Sequence, residues 1–212
     1  MRPALLLVPL LLTAAPASAL PRAKAQRLLH AARALHGVEY DFGGRLQKGR
    51  GIDCQGVLFF AAEALSPCGW RSYSVMPTVS VRDRELGSPV PGLSPVATED
   101  LDVSALEPGD VLWLVGFAEN PAEPALAAIA ERPVWVWHTA LYAGDGAFLH
   151  ADFFTGEVRE EPLKPFLERH EGSYAGIFVT RMGRGPSPRR CRRHSPLRER
   201  LEARQRQQRR SQ

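Results

Sequence analysis

Residues 134–154 read VWVWHTALYAGDGAFLHADFF, and the turn within this stretch decides the fold. Aromatic and branched residues flank Gly144-Asp145-Gly146, a pattern that predicts an antiparallel β-hairpin. His138, Ala140 and Tyr142 alternate onto one face of the first strand, while Phe148, His150 and Asp152 share a face of the second. Whether those faces coincide depends on the turn, because cross-strand partners lie on the same side of a sheet. A three-residue loop over 144–146 sets His138 opposite Asp152 and diagonal to His150, where backbones lie about 7–8 Å apart. A two-residue loop would send the histidines to opposite faces.

Two further strands are expected around the hairpin. LEPGDVLWLVG (106–116) reads as a turn followed by a buried strand, and YAGIFVTRM (174–182) as the last strand. Upstream, AKAQRLLHAARALHG (23–37) places Leu28, Ala31, Ala32 and Leu35 at helical spacing, so a first helix is expected over about 22–36, ending at Gly37. VEYDFGGRLQKGRG (38–51) is a glycine-rich loop, and DCQGVLFFAAEAL (53–65) a second helix ended by Ser66-Pro67. Asp53 is its natural N-cap, which puts Cys54 in the first turn. Residues 69–107 predict an irregular connection with a short strand near SYSVM (72–76), and 119–133 a loop with a short helix at 124–131. Helices first and an antiparallel sheet afterwards make the fold class α+β, with the N-terminal helices packed on a small sheet.

The first nineteen residues have the pattern of a secretory signal: Arg2, the apolar run ALLLVPLLLTAA, and Ala17-Ser18-Ala19 as a small-residue cleavage site. The run is shorter than a bilayer span of about 20 residues, so no membrane span is expected and the protein should be exported to a periplasmic or extracellular space. Residues 20–180 suit one domain, for which a monomer is the default expectation. The formal charge of +4 hides an asymmetry: Arg181–Gln212 holds twelve arginines against Glu199 and Glu202, leaving about −6 for the rest. That basic tail, 181–212, has little to bury and is expected to be disordered, with contact to an anionic polymer as its one possible partnership. Three cysteines are too few for a disulfide scaffold. If Cys68 and Cys191 pair, the thiol left over is Cys54.

A cysteine nucleophile needs a lowered thiol pKa, a base, and a group that orients the base. The first turn of a helix lowers a thiol pKa, which favours Cys54. His138 would take its proton and return it to a leaving amine, and His150, preferred over Asp152, would hold His138 in the useful tautomer. No histidine, cysteine and acid spacing fits a finger or HExxH site, so neither a metal nor another cofactor is expected.

Four stretches in order, YDFGG, GIDCQGV, LEPGDVLWL and HTALYAGDGAFLHA, resemble the NlpC-type cell-wall peptidases, a papain-like cysteine peptidase family that cleaves peptidoglycan stem peptides. The resemblance covers roughly residues 25–180. It implies a papain-like core, Cys54 as nucleophile, His138 as base and His150 as third polar residue. It also implies that Tyr40 lies near the oxyanion, that Asp53 faces the amine end of the stem, and that the bond is a D-glutamyl-diamino acid amide. Gln55 stands where the family usually has serine, which would alter the near substrate subsites. The link at 116–134 is longer than usual, and 69–107 lacks the pattern of a substrate loop. A silent wall-binding relative and an acyl transferase using the same cysteine are the competing expectations.

Overall fold

The computed structural model describes residues 19–47 and 49–192, together with Ala203, Arg206 and Arg210. The expected signal segment, but for its last residue, and the tail beyond Arg192, but for three positions, lie outside the described residues.

Helix α1 (Arg22–Arg33) buries Ala25, Leu28, Leu29, Ala31 and Ala32, the stripe its 3.6-residue spacing sets out, and the chain turns away at Gly37 with φ +69°. Helix α2 (Cys54–Ala62) is buried along every residue from Gly56 to Ala62, so its sequence is apolar all round instead of striped. It packs against α1 on one side and against the hairpin strands on the other. Asp53 caps it, accepting from the Gly56 N–H at 2.7 Å. Residues 72–76 form no strand: a 3₁₀ turn over Trp70–Ser72 leads to a short helix, α3 (Pro77–Arg82), started by the proline at its first position.

The remaining strands are β1 (Ser88–Pro89), β2 (Val96–Ala97), β3 (Val111–Gly116), β4 (Ala127–Ile129), β5 (Arg132–Gly144), β6 (Ala147–Asp152), β7 (Glu157–Pro162) and, after helix α4 (Leu163–Arg169), β8 (Gly176–Arg181). They form one antiparallel sheet in the order β1-β8-β3-β5-β6-β7, with β2 added on β8 and β4 on β5. The architecture is therefore α+β. The helix expected at 124–131 is instead β4 and the turn into β5: Ala127 pairs with Val134 and Ile129 with Arg132, the turn being made by Ala130 and Glu131 at positive φ. An alanine-rich run has helical propensity, and cross-strand pairing overrides it here. Strand β7 and helix α4 answer to no expectation from the sequence.

Both sheet faces are covered, which explains why β3 is buried at all six positions. Trp113, Val115, Leu141, Leu149 and Val158 face the layer of α1 and α2. Leu112, Leu114, Ala140, Tyr142 and Phe148 face a second layer built from α4 and the segment 90–106. That second layer is what the irregular proline-rich connection contributes.

The chain beyond residue 180 does not leave the domain at once. Ser187 donates its N–H to the Glu85 carbonyl, Arg189 pairs with Asp83 at 2.8 Å, and the Arg192 carbonyl accepts from Gly69. Cys191 is bonded to Cys68 across 123 residues of chain, so Cys54 is the free cysteine. Closing so long a loop restricts the unfolded chain. Cys68→Ser with Cys191→Ser should therefore lower stability by about 2–5 kcal/mol in urea titration, with α2 still folded by circular dichroism. A variant as stable as the wild type would show that the crosslink does not hold the C-terminal segment down.

Candidate active site

The hairpin turn differs from the expected one. Gly144 pairs with Ala147, leaving a two-residue turn of Asp145 (φ +50°) and Gly146 (φ +77°), the two left-handed residues of a type I′ turn. Between Tyr142 and Gly144 the register shifts, with Ala143 as the extra residue, and the ladder continues as Tyr142↔Phe148 and Leu141↔Leu149. The bulge restores the even sum that a three-residue loop would have given. The histidines consequently share a face: His138 Nε2 lies 2.8 Å from His150 Nδ1, and the rings meet edge to face.

Past Leu141 and Leu149 the two strands part. Residues 138–140 of β5 stay paired with β3, while His150 and Asp152 of β6 stay paired with β7. The head of α2 meets this fork. Cys54 sits there near Thr139, the residue after His138; the Thr139 and Gln55 groups favour the thiolate, although Thr139 Oγ1 makes no hydrogen bond. They are outweighed: burial first, then the Asp53 charge, push the Cys54 thiol above its ordinary value of 9.0. The helix-start effect expected from the sequence does not decide the titration.

Asp53 is occupied by the fold. Its oxygens accept from Gly43 and Gly56 at 2.9 and 2.7 Å and pair with Arg45 Nη1 at 2.5 Å, all but out of contact with water. Arg45 is itself buried, its guanidinium over the rings of Phe59 and Trp70. The close approach needs glycine at 44 and 56: a Cβ on Gly44 would lie 2.4 Å from the Gly51 carbonyl oxygen, and one on Gly56 2.5 Å from Ile52 Cγ1. Gln55 is half-buried, and its side-chain Nε2 has no hydrogen-bond partner.

Two tyrosines flank the thiol. Burial raises the Tyr40 hydroxyl to about 12, with Cys54 and Asp53 adding to the effect, so Tyr40 stays a proton donor. Its ring meets Phe153 edge to face. Tyr174 is driven up chiefly by burial and also by the charges of Cys54 and Asp152, and its ring lies 6.4 Å from His138. Tyr174 carried no role in the sequence, where it only opens the last expected strand. It also lines a cavity of about 830 Å³ whose walls include Glu99, Phe117, Arg132, Lys164 and Glu168. Phe117 and Arg132 come from the long link after β3, and the Arg132 guanidinium sits 3.6 Å from the Phe117 ring centroid.

Burial lowers both imidazoles, His138 to about 4 and His150 to about 2, the latter also by the charges of His138, Arg159, His170 and Arg169. At neutral pH the thiol and both imidazoles therefore rest uncharged. Asp152 is buried and its charge favours protonated His138, but Phe154 takes its Oδ1 through a backbone N–H at 2.9 Å. His150 Nε2 instead reaches Glu161 Oε1 at 3.1 Å, and Arg169 binds the other Glu161 oxygen. Glu161 was not foreseen, because β7 was not. Donor atoms of His150, Asp152 and Glu161 lie within 4.8 Å of one another, a spacing that suits a cation. The Glu161 oxygens are already engaged by His150 and two guanidiniums, Arg169 and Arg159, and Asp152 Oδ1 by the Phe154 N–H. Among the described residues, no helix is long and apolar enough to cross a membrane.

Two consequences can be measured. Alkylation of Cys54 by iodoacetamide should rise along a pH profile with its inflection above 9.0, and Asp53→Asn should move that inflection down by removing a negative charge beside the thiolate. An unmoved inflection would remove Asp53 as a cause. Because the folded chain holds His138 and His150 neutral below the ordinary value of 6.5, the unfolded chain binds protons that the native site refuses. Stability should be full above about pH 6.5 and fall as pH drops below it, read as the urea midpoint. A midpoint flat between pH 7.5 and 5 would contradict the buried neutral pair.

No family model matches this sequence, and no curated protein matches it. Among solved structures, the chain is similar to NlpC1 from Trichomonas vaginalis, at 19% identity over 74% of this chain and 43% of that one, with a TM-score of 0.46. It is similar to the peptidoglycan hydrolase RipB from Mycobacterium tuberculosis, at 22% identity over 76% and 68% of the two chains, with a TM-score of 0.45. It is also similar to an NLP/P60 family protein from Staphylococcus aureus, at 16% identity over 82% and 46%, with a TM-score of 0.49. The chain spans less than half the length of NlpC1.

Proposed function

We propose that this chain is an exported, papain-like cysteine peptidase of the NlpC type that hydrolyses an amide bond in peptidoglycan stem peptides. The observation that carries the proposal is the fork between β5 and β6, where Cys54 at the head of a buried helix meets Thr139, the residue after His138, and His138 lies 2.8 Å from His150. The four ordered sequence stretches support the same reading. Both groups rest neutral, so the reaction begins with general-base transfer of the thiol proton to His138 as sulfur attacks the carbonyl carbon. Tyr40, held protonated, donates to the developing oxyanion. The amine leaves with the proton from His138, and water releases the acyl group from Cys54.

Asp53 acts from within the fold by setting the cap and loop that present Cys54, since its oxygens are already engaged. Gln55, next to the nucleophile, is the residue that would meet the substrate's near side once its amide nitrogen, now buried without a partner, is uncovered. The cavity beside Tyr174 supplies room for the chain on one side of the scissile bond. The disulfide between Cys68 and Cys191 fits an oxidising compartment, where pairing them leaves Cys54 with no nearby thiol to capture it.

Cys54→Ala should abolish release of cleaved stems from purified cell wall while leaving the circular dichroism spectrum unchanged, and His138→Ala should reduce it by roughly 100-fold or more. Mass spectrometry of products from defined muropeptides identifies the bond and whether water is the acceptor. Undiminished release by Cys54→Ala would sink the assignment.

A further inference from the structure

The hydrogen-bond chain that starts at His138 does not stop at His150. It continues to Glu161, a buried carboxylate on β7, and from there to Arg169 on α4. We propose that Glu161, held by Arg169, is a positioning residue that fixes, through two imidazoles, which nitrogen of His138 receives the Cys54 proton. The proposal rests on the reading of Cys54 as nucleophile and His138 as base.

An ionised carboxylate only accepts, so the His150 nitrogen that faces Glu161 must carry a hydrogen. A neutral imidazole then has its lone pair on the other nitrogen, and His150 Nδ1 accepts from His138. His138 Nε2 therefore carries its hydrogen, and Nδ1 is the nitrogen left to take a proton. Burial keeps each ring at one proton, which is what allows the order to pass undivided from Glu161 to His138.

During attack the Cys54 S–H bond breaks, an N–H bond forms at His138 Nδ1, and the sulfur electron pair goes to the carbonyl carbon. The imidazolium so formed keeps its Nε2–H on His150, whose own N–H rests on Glu161. The proton leaves again to the amine. Without the carboxylate, His150 is free to adopt the other tautomer, turning its Nδ1–H toward His138. The His138 hydrogen then moves to Nδ1, where it blocks the base.

The surroundings support a held carboxylate. Arg169 bonds Glu161 Oε2, and Arg159 stands 3.6 Å from Oε1. Asp152, His170 and Tyr174 are other titratable groups close to the imidazole pair, and Phe148 and Phe166 close it off with their rings. Phe166 and Arg169 both lie on α4, so the short helix that sequence reasoning passed over seals and neutralises the far end of the relay.

The test is two-bond ¹H–¹⁵N correlation on the full chain labelled with [¹⁵N]histidine, which reports the tautomer of each ring without needing a substrate. The expected wild-type result is Nε2–H on both His138 and His150. Glu161→Leu should bring Nδ1–H onto His138 and slow Cys54 alkylation at pH 7 by about tenfold or more, with kcat for stem release falling in step and KM moving less than about twofold. Glu161→Gln, whose amide oxygen still accepts, should keep the wild-type tautomers and recover most of the rate. Nδ1–H on His138 in the wild type would overturn the proposal, as would a folded Glu161→Leu with unchanged tautomers and alkylation. Should Glu161→Leu fail to fold, the wild-type spectrum and Arg169→Met decide by the same criteria. If the tautomers are as expected but wild-type protein releases no stems, the functional reading fails while the relay stands.

Discussion

Strands β5 and β6 pair for only a few residues beyond their turn and then separate, and the site depends on that separation. While paired, a strand's outward N–H groups are used by its neighbour. Once β5 stays with β3 and β6 with β7, the backbone at Thr139 is released on one side, the side on which Cys54 feels it. The same opening lets residues on the two strands turn toward each other, so that His138 and His150 close to 2.8 Å although they are diagonal positions. Continuous pairing would have sealed the sheet and left α2 with nothing to present.

What brings Cys54 to the fork is the buried pair of Asp53 and Arg45. A buried charge is costly unless paired and hydrogen-bonded, and Asp53 is both, accepting from Gly43 and Gly56 while facing the guanidinium. One carboxylate thus starts the helix, fastens the glycine loop that carries Tyr40, and sets the field felt by the thiol. The field is unfavourable to the thiolate. Buried imidazoles that resist protonation share this environment, so on the proposed reading the thiol proton would move in concert with attack and not from a preformed ion pair.

Much of this was legible in the chain. Asp53 before Cys54 and an apolar run announced a capped helix, because capping and burial are local in sequence. The alternation around Gly144-Asp145-Gly146 announced the hairpin and the two histidines. Where expectation and structure part, the cause is long-range. The 124–131 segment has helical propensity and is drawn into a strand by β5, and the thiol titrates by what surrounds it more than by its place in α2. Glu161 and Arg169 come from segments with no periodic signal, and they join the site only because the sheet order carries β7 and α4 to it.

By itself, then, the sequence determined the class of fold, the helix that bears Cys54 and the strand positions of His138 and His150, since each follows from spacing along a few neighbouring residues. The tertiary structure alone decided that a bulge at Ala143 would restore the register, that the strands would part, and that Glu161 would close the chain of hydrogen bonds. Those outcomes are set by contacts between residues distant in the chain. Local pattern cannot encode them, because burial and electrostatic field belong to the assembled layers.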